Sequence, residues 1–384
     1  MTSQERHEAR YQRRRAKRLQ RKNAKCSQLG DYEKTFSYGK LYNAFGLCKR
    51  GVRWKKSIQK YEATQMLSTL GIYTTMQNRR FKAGDFQEFD ICERGKLRHI
   101  RALNIQERCI QRVLCDEYLL PLLKPKLVFD NGASIKGKGI SFSLNRLKYH
   151  LASYYRKYHT NDGYIFQFDF SSYFDNIDHT ILLNQLEKEI PDNEIFELVR
   201  KMVVCFGDKG LGLGSQVSQI CAIYYPTLLD RALQSLPIEG YCRYMDDGVV
   251  ICRTKEIANR CREVVLELCK ALNITPNMKK FSISKISKTF VFLKKRIFLS
   301  DVGKVVMRLG RSSITRARRR LKKLAKRVQL RTSSRFTLEN LAQCYLSWIG
   351  NARKLDNYWI TKHFEEFYHS LVRQTVKNMI QSAH

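Results

Sequence analysis

The stretch "GYCRYMDDGVVICR" (residues 240–253) places two adjacent carboxylates, Asp246 and Asp247, between two apolar runs. The apolar runs predict two short β-strands, and Asp-Asp-Gly between such runs is typical of a tight turn. An aspartate suits a turn, which accounts for one of the two but does not require both. Adjacent carboxylates repel each other, and a divalent cation relieves that repulsion. The stretch therefore indicates a β-hairpin whose tip is either a plain turn or part of a metal site.

A third carboxylate, Asp169, follows the apolar strand pattern "YIFQF" (residues 164–168). A lone carboxylate next to a buried strand is costly unless it has a partner. If this strand lies beside the hairpin, Asp169, Asp246 and the backbone carbonyl of Phe170 can hold two Mg²⁺ ions. Two ions about 3.5–4 Å apart suit in-line phosphoryl transfer, because one activates a 3′-hydroxyl and the other neutralises the triphosphate.

The overall charge of the chain restricts its partners. Lys and Arg number 71 against 35 Asp and Glu, which gives a formal net charge of +36 over 384 residues. Such an excess faces a polyanion or causes self-repulsion, so nucleic acid is the first candidate partner and an anionic membrane the second. No apolar run is long enough to span a bilayer. The basic N-terminus has no apolar signal core, so we expect a cytoplasmic protein.

The 12 cysteines are scattered singly, without a C-x-x-C pair or a Cys/His cluster at zinc spacing. This pattern favours reduced, mostly buried thiols in a cytosol over disulfides or a structural zinc.

The apolar periodicity changes twice along the chain. It predicts helices over residues 32–80, a hairpin with its turn at "ERGK" (residues 93–96), and an amphipathic helix that ends at Pro121. A Gly-rich basic loop (residues 129–140) precedes a helix through Tyr158. We expect one helix over about residues 182–204, further strands up to about residue 309, and basic helices from Ser312. Helices, then a mixed region, then helices predict an α+β fold.

Motifs across the chain resemble the reverse transcriptase family. The core of the resemblance is "YMDD" (residues 244–247), preceded about eighty residues earlier by "FDFSSYFD" (residues 168–175). Five further segments resemble family motifs: "KLRHIRALNIQERCIQRVL" (96–114), "LGSQVSQ" (213–219), "ALNITPNMKKF" (271–281), "FLKKRI" (292–297) and, in the thumb of bacterial members, "SWIGNAR" (347–353). The match covers roughly residues 85–300 in family order, and the combination is far more specific than YMDD alone.

The resemblance implies roles for individual residues. Asp169 and Asp246 are metal ligands, Asp247 is the supporting carboxylate, and Phe174 is the steric gate that selects dNTPs. A core aromatic is the alternative for Phe174. Implied nucleotide contacts are Lys96, Arg98, Arg101, Gly214, Ser218, Gln219 and Lys280. Lys279 is the alternative to Lys280, and a solvated strand face is the alternative for the basic residues of 96–101. Implied primer and template contacts are Tyr244, Met245, Phe292 and Leu293.

The sequence departs from the common family pattern at two places. Many reverse transcriptases have Gln-Gly-x-x-x-Ser-Pro, whereas this chain has Leu213 before Gly214 and Gln219 after Ser218. That variant resembles the enzymes of diversity-generating retroelements, which copy a template RNA with errors at adenines. Defence-associated bacterial reverse transcriptases, which copy a dedicated noncoding RNA, are similar enough to remain the alternative. Lys294 replaces a common Gly, which puts the local turn in doubt.

The resemblance also implies a domain order. We expect a basic arm over residues 1–29, N-terminal helices and fingers over 30–160, a palm over 161–300 and a helical basic thumb over 301–384. The expected RNA-binding residues are Arg13, Arg14, Arg15, Arg18, Arg318, Arg319 and Arg320, with a solubilising tail as the alternative for the N-terminal group. Expected partners are template or noncoding RNA, an RNA–DNA duplex and dNTPs, with room for a small accessory protein. The expected cofactor is a pair of Mg²⁺ ions, with Mn²⁺ as a substitute, in a protein encoded by a prokaryote or phage.

Two other classes of protein compete with this interpretation. A splicing-type RNA-binding cofactor without chemistry could lose any of the carboxylates, yet Asp169, Asp246 and Asp247 are all present. An unrelated two-metal nuclease or nucleotidyltransferase would not need the Gly-rich Ser-Gln block or "FLKKRI" in this order. The chain shows no acidic cluster after the thumb region that would indicate an RNase H domain.

Overall fold

The computed structural model describes residues 29–93, 95–330 and 337–381, together with residues 6, 8–10, 12, 13 and 20. The side chains of residues 93, 96 and 98 are outside this description.

Helices occupy both ends of the described chain and surround its middle. They are α1 Tyr32–Thr35, α2 Tyr38–Cys48, α3 Lys56–Ala63, α4 Gln65–Gln77, α5 Ile105–Val113, α6 Leu120–Leu123, α7 Ile140–Tyr158, α8 His179–Glu187, α9 Asn193–Val204, α10 Gln216–Tyr224, α11 Thr227–Gln234, α12 Lys255–Ala271, α13 Arg311–Gln329, α14 Leu338–Ala352 and α15 Tyr358–Gln381. The predicted N-terminal and C-terminal helical regions are confirmed.

The strands form three separate antiparallel sheets. They are β1 Phe86–Glu93, β2 Lys96–Leu103, β3 Tyr164–Phe168, β4 Gly240–Tyr244, β5 Asp247–Cys252, β6 Ser282–Lys285, β7 Phe290–Phe292, β8 Lys295–Leu299 and β9 Val305–Leu309. Strands β1 and β2 form the predicted hairpin, β4-β5-β3-β6 form the central sheet, and β7-β8-β9 form a third sheet. The α+β prediction is confirmed.

The central sheet brings together the two regions that carry the carboxylates. Strand β3 pairs with β5 antiparallel, with Phe168 opposite Gly248. Because Asp169 directly follows β3 and Asp247 begins β5, the pairing places these residues at the same end of the sheet. The sequence prediction that "YIFQF" lies beside the hairpin is therefore confirmed.

Two predicted helix boundaries are wrong, and both involve proline. The helix after β2 does not end at Pro121, because a π-helical stretch over Leu114–Leu119 leads directly into α6. Pro121 then falls in the first turn of α6, where a missing backbone N–H costs little. The single helix predicted over about 182–204 is two helices, α8 and α9, since Pro191 interrupts the chain and Asp192 caps α9 by accepting from Ile195 N–H.

Three apolar clusters hold these elements together. The largest joins the N-terminal helices, α5 and α8–α12 to one face of the central sheet. A second packs α7 and the third sheet against the opposite face. The third lies among the C-terminal helices around Leu321, Tyr345 and Phe364. The third sheet crosses residue 300, where the sequence predicts a domain boundary, since β9 pairs with β8. Within the described residues, no helix has the length and apolar character needed to span a bilayer.

Candidate active site

The hairpin turn is centred on Met245 and Asp246, since Tyr244 pairs with Asp247. Met245 adopts a positive φ of 56°, so it carries the turn geometry that the sequence assigned to Asp-Asp-Gly. Gly248 lies inside β5, where a Cβ atom would come within 2.1 Å of the Phe168 ring. The assignment of Gly248 to the turn is therefore wrong. A glycine is required at this position because the Phe168 ring of β3 leaves no room for a side chain.

The predicted carboxylates meet around one lysine. Asp169 is 5% exposed, and its Oδ1 lies 2.9 Å from Lys280 Nζ. The same Nζ lies 3.5 Å from Asp247 Oδ1. Asp246 is the neighbouring residue of the turn and, with Asp247 and Lys280, lines a cavity of about 890 Å³. Lys279 lines the cavity as well, but Lys280 is the residue that contacts the carboxylates.

The pKa values report an excess of negative charge at this point. Burial, followed by the charge of Asp169, raises the pKa of Asp246. Burial, followed by a hydrogen-bond contact with Asp169, raises the pKa of Asp247 to about 7. Burial lowers the pKa of Lys280, but contact with Asp169 and the charges of Asp247 and Asp246 outweigh it, and the net shift is upward. Lys280 contacts Asp169 and Asp247 directly, and Asp246 feels its charge together with that of Arg243, yet burial and mutual repulsion still raise the pKa values of Asp246 and Asp247.

This donor set fits a divalent metal. Carboxylate oxygens are the ligands that Mg²⁺ prefers, and repulsion among three of them is relieved by added positive charge. The Lys280 ammonium already lies between Asp169 and Asp247, which shows that a cation can reach both. Asp169 and Asp246, with Asp247 beside them, are the side chains that would hold the ion.

One backbone and one side-chain hydrogen bond from Asn277 fix Asp169 and leave the Phe170 carbonyl directed elsewhere. Asn277 donates its backbone N–H to the Asp169 carbonyl and its side-chain Nδ2 to Asp169 Oδ2, each at 2.8 Å. Phe170 forms an antiparallel bridge with Pro276, but the hydrogen bonds of that bridge are made by Ser171 and Asp169. At such a position a residue directs its carbonyl away from the partner strand. The predicted role of the Phe170 carbonyl is compatible with this geometry.

Sequence reasoning missed Arg243, which supports the hairpin from behind. Its side chain is fully buried and forms two hydrogen bonds of 2.8 Å with the Asp230 carboxylate. It also donates to the backbone carbonyl of Met245 at 2.9 Å and of Ile223 at 2.7 Å. Tyr241 donates its hydroxyl to the same Asp230. This network ties the turn to α10 and α11, and an arginine inside an apolar strand was the available signal.

The predicted Gly-rich nucleotide block begins a helix. Gly214 has a φ of 104°, and Ser215 caps α10 by accepting from the Ser218 N–H. Ser218 is buried, whereas Gln219 is exposed and its Oε1 accepts from the Ser134 hydroxyl at 3.3 Å. Gly214 and Gln219 line a second cavity, of about 720 Å³, between α5, α10 and the Gly-rich basic loop.

The other predicted nucleotide contacts lie in two places: Phe174 packs on the main core, and the three basic residues lie on β2. Phe174 is half-buried, packs on the main core and makes an edge contact with Tyr173 at 6.0 Å. Arg101 lies on β2, where it donates to the Phe206 carbonyl at 2.7 Å and lies 3.0 Å from Glu88. Lys96 and Arg98 also lie on β2, but their side chains are outside the described part. The steric-gate and triphosphate roles stay predictions.

All four predicted primer and template residues line the 890 Å³ cavity: Tyr244, Met245, Phe292 and Leu293. Phe292 ends β7, and the turn to β8 places Leu293 and Lys294 at positive φ values of 47° and 65°. Lys294 therefore adopts the left-handed conformation that a glycine would enter at lower cost. The turn that the sequence put in doubt is present despite this substitution.

A separate buried cluster supports β4. Asp130, His150 and Cys242 bring ligand-type atoms within 4.8 Å of one another. Asp130 accepts from Arg146 and lies 2.6 Å from His150 Nε2, and these contacts outweigh burial to lower its pKa. Because the carboxylate is already paired, we interpret the cluster as a structural ion cluster beside the strand.

The predicted RNA-binding residues fall into two groups. Arg318, Arg319 and Arg320 are exposed on α13. Arg13 is exposed near the N-terminus, and Arg14, Arg15 and Arg18 lie outside the described residues.

Solved structures with partial likeness to this chain include three telomerases. A telomerase from Candida albicans in complex with a TWJ fragment of telomeric RNA has 11% identity and a TM-score of 0.45, covering 77% of this chain and 58% of its own. An apo telomerase from Candida tropicalis has 13% identity and a TM-score of 0.48, covering 78% and 64%. A form truncated from the C-terminal domain has 14% identity and a TM-score of 0.45, covering 63% and 60%. The chain thus spans about 58–64% of the length of these structures.

No curated protein matches the sequence. The model of the family "Reverse transcriptase (RNA-dependent DNA polymerase)" matches residues 81–296, more than half of the 384-residue chain. This range contains the central sheet, its three carboxylates and Lys280. The chain therefore belongs to the reverse transcriptase family.

Proposed function

We propose that this protein is an RNA-directed DNA polymerase that extends a primer on a dedicated RNA, using dNTPs and Mg²⁺, with Mn²⁺ as a substitute. The observation that carries the proposal is the meeting of Asp169, Asp246 and Asp247 with Lys280 at one end of the central sheet. A non-catalytic RNA-binding cofactor has no need for three carboxylates that share one cation.

Each residue of the carboxylate site has a distinct role in nucleotide transfer. Bound metal supplies a lowered pKa for the primer 3′-hydroxyl and positive charge for the triphosphate. Asp169, Asp246 and the Phe170 carbonyl would hold the ions, and Asp247 would support them. Lys280, whose pKa is raised, stays protonated and can deliver a proton to the leaving pyrophosphate.

Other residues position the substrates in this proposal. Phe174 excludes a ribose 2′-hydroxyl by its bulk, and Arg101, with Lys96 and Arg98 on the same strand, meets the triphosphate. Gly214 and Gln219 contact the nascent pair, whereas Ser218 is buried and supports them at the start of α10. Tyr244, Met245, Phe292 and Leu293 hold the primer end against its template.

We propose the domain order of a right-hand polymerase for the chain. Fingers follow the N-terminal helices, the central sheet is the palm, and the exposed arginines of α13 lie on a helical thumb. The thumb is proposed over residues 301–384; its first residues include β9, which pairs with β8, and its helices begin at Arg311. The arginines of the N-terminal arm and of α13 bind the phosphates of the RNA partner.

For the subtype we propose a diversity-generating retroelement enzyme with error-prone copying, encoded by a prokaryote or phage and acting in the cytoplasm. The support is Leu213 and Gln219 in the Ser-Gln block, together with the exposure of Gln219. Altered side chains next to the nascent pair are a physical reason for altered fidelity. A defence-type enzyme copying a structured noncoding RNA is the competing outcome, and a small accessory protein is compatible with either.

The test of the activity is the double substitution Asp246→Ala and Asp247→Ala. Incorporation of dNTPs on an RNA template should fall by at least about 10²-fold, because the metal ligands supply much of the charge stabilisation. Asp175→Asn, at an exposed aspartate in the same region, is the matched control and should retain activity. Full incorporation by the double variant would sink the proposal.

The subtype is tested by sequencing the cDNA made on a defined RNA template. Errors concentrated at template adenines support the retroelement proposal, and uniformly low error at adenines contradicts it. The RNA that co-purifies with the protein supplies an independent check. A copy of a nearby variable gene supports the retroelement type, and a structured RNA with no genomic counterpart supports the defence type.

A further inference from the structure

The end of strand β9 is a corner where two helices begin. Helix α13 starts at Arg311, directly after the strand, and α15 starts at Tyr358. Buried Asn357 accepts from the Leu309 N–H at 3.1 Å and donates to the Ala352 carbonyl at 3.2 Å. The first turn of α15 is therefore anchored to the end of the sheet.

Two aromatic side chains are exposed on this anchored turn. Tyr358 is 70% exposed and Trp359 is 66% exposed, with ring centroids 5.3 Å apart and planes at 78°. Single exposed apolar residues are ordinary on protein surfaces, whereas an adjacent pair of large rings on a fixed backbone indicates a binding surface. Rings held in place by the backbone lose little conformational entropy when a flat partner stacks on them.

The surroundings of the aromatic pair are basic. Lys362 lies over the Trp359 ring at 5.7 Å, and Lys295 pairs with Leu309 at the end of β9. The only acidic residue of the segment 353–359 is Asp356, which accepts from the Met307 N–H at 2.9 Å and lies 3.7 Å from Lys304. Basic residues in the segments that meet at this corner include Lys294, Lys295, Arg311, Lys354 and Lys362, whereas Glu365 and Glu366 lie further along α15 and Glu365 pairs with Arg353. Flat rings surrounded by positive charge complement a ligand with π faces and phosphates.

The corner continues the wall of the candidate active-site cavity. Phe292, Leu293 and Lys294 line that cavity, and a Cβ atom on Gly310 would lie 3.7 Å from the Lys294 carbonyl. Gly310 connects β9 to α13. The β7–β8 turn therefore connects the cavity wall to the end of β9, and Asn357, the residue before Tyr358, contacts Leu309 at that end.

We propose that this corner binds unpaired nucleotides of the RNA partner, with bases stacked on Tyr358 and Trp359 and phosphates on the surrounding lysines. Bases inside a duplex already stack on each other, so exposed rings gain most from unpaired bases. The new DNA strand stays paired with the RNA it copies, so the strand that presents unpaired bases is the RNA. This inference rests on the proposed polymerase function for its ligand, but its residues are separate from the carboxylates.

The test compares Trp359→Ala with wild type, using a fluorescent single-stranded oligoribonucleotide of about twelve nucleotides and a hairpin duplex of equal charge. Loss of one stacked base should weaken single-strand binding by about 5- to 100-fold and leave duplex binding unchanged. The salt dependence of binding should keep its slope, because no charge is removed. Lys354→Ala combined with Lys362→Ala should flatten that slope instead.

The chain offers a matched control and an internal probe. Trp54 is 74% exposed with Lys55 over its ring at 5.6 Å, but it lies between α2 and α3, so Trp54→Ala should bind the oligonucleotide normally. In a Trp54→Phe background the remaining tryptophans are Trp348, which stacks on Phe364, and Trp359. RNA bases that stack on Trp359 should quench the tryptophan fluorescence of this variant in proportion to the amount of bound RNA.

The outcomes separate this inference from the polymerase proposal. The Asp246→Ala and Asp247→Ala protein should bind single-stranded RNA normally while lacking incorporation, and Trp359→Ala should incorporate dNTPs normally on a short, saturating primer–template. A conservative Trp359→Phe variant, which keeps a ring, should retain most of the single-strand affinity and confirms that the fold is intact. Wild-type affinity of Trp359→Ala for single-stranded RNA, or an equal loss for the duplex, would overturn the inference.

Discussion

Two charge clusters lie on opposite sides of the same hairpin and differ in how completely they are neutralised. Behind the turn, Arg243 and Asp230 form a buried pair with two hydrogen bonds of 2.8 Å. In front of it, Lys280 contacts Asp169 at 2.9 Å and Asp247 at 3.5 Å, and the charges of Lys280 and Arg243 offset only part of the rise in the pKa of Asp246. Burial lowers the pKa of Arg243, but Asp230 outweighs burial and the net shift is upward, whereas the pKa of Asp247 is raised to about 7.

The difference distinguishes charges that stabilise the fold from charges that are positioned to bind a ligand. A buried pair whose hydrogen bonds are all satisfied is self-sufficient, and its removal affects stability first. Carboxylates that repel one another are kept at a cost in stability, which is the signature expected of a functional site. The two clusters should therefore respond in opposite ways to neutral substitutions.

The largest expected effect is on activity at the front cluster. Asp247→Asn should lower dNTP incorporation by about 10²-fold or more, because it removes charge from the metal site. In the absence of metal the same variant should not be less stable than wild type at pH 8, since the substitution removes a repulsive charge. Thermal unfolding in EDTA, beside a primer-extension assay, measures both quantities.

A lower melting temperature for Asp247→Asn in EDTA would contradict this assignment, because it would mean that Asp247 contributes to folding. Asp175→Asn is the control in both assays, since Asp175 is exposed and outside the cluster. Added Mg²⁺ should raise the melting temperature of wild type more than that of Asp247→Asn, because only protein that binds the ion is stabilised.

The next largest effect is on stability at the rear cluster. Arg243→Met leaves the Asp230 carboxylate buried without its cation, and such a change costs about 3–5 kcal/mol in the free energy of unfolding. Incorporation should fall as well, because the Met245 carbonyl loses its donor and the turn loses its support. Urea unfolding followed by circular dichroism measures the first effect.

A double substitution decides whether the pair or the side-chain volume matters. Asp230→Asn in the Arg243→Met background removes the orphaned charge and should recover part of the lost stability. If the double variant is less stable than either single variant, Arg243 and Asp230 stabilise the protein through packing. The claim that their charge neutralisation matters would then be wrong.

The front cluster was largely predictable from sequence, and the rear cluster was not. Asp246 and Asp247 are adjacent in the chain, and Asp169 ends a strand whose apolar pattern requires a buried neighbour. The pairing of β3 with β5 was a condition of the metal-site prediction that the family resemblance supported, and the structure shows it. Asp230 and Arg243, by contrast, lie on a helix and a strand thirteen positions apart, and no periodicity links one acid to one base across a core.

Local strain explains the remaining errors. Gly248 looked like a turn residue because glycine favours turns, but packing against Phe168 requires it. Met245 takes the positive φ because Arg243 and the ends of both strands determine the turn. Pro121 looked like a helix end, yet the π-helical stretch runs directly into the next helix, and Pro121 lies in the first turn of that helix.

Glu107 is another buried carboxylate, and it lies outside both clusters. It is 2% exposed on α5 and receives a long hydrogen bond of 3.4 Å from Gln111, whose Oε1 accepts from Ser215 at 2.9 Å. Burial, with a smaller contribution from the charge of Asp85, raises the pKa of Glu107 to about 7, although the Gln111 bond opposes the shift. Among the described contacts of Glu107 there is no cation that would neutralise it, and it is not one of the candidate metal ligands.

The smallest predicted effect follows from that pKa and depends on pH. In the unfolded chain the carboxyl ionises near its ordinary pKa of 4.5, whereas in the folded protein it keeps its proton up to about 7. Its contribution to stability is therefore intact below pH 4.5 and is lost as the pH rises towards 7. Glu107→Gln removes this titration, so the variant should match wild type near pH 4.5 and exceed it by about 3 kcal/mol at pH 8. Urea unfolding of both proteins at the two pH values measures the difference, and other titrating groups cancel because both chains share them. A pH-independent difference would show that Glu107 ionises normally, with a partner that neutralises its charge.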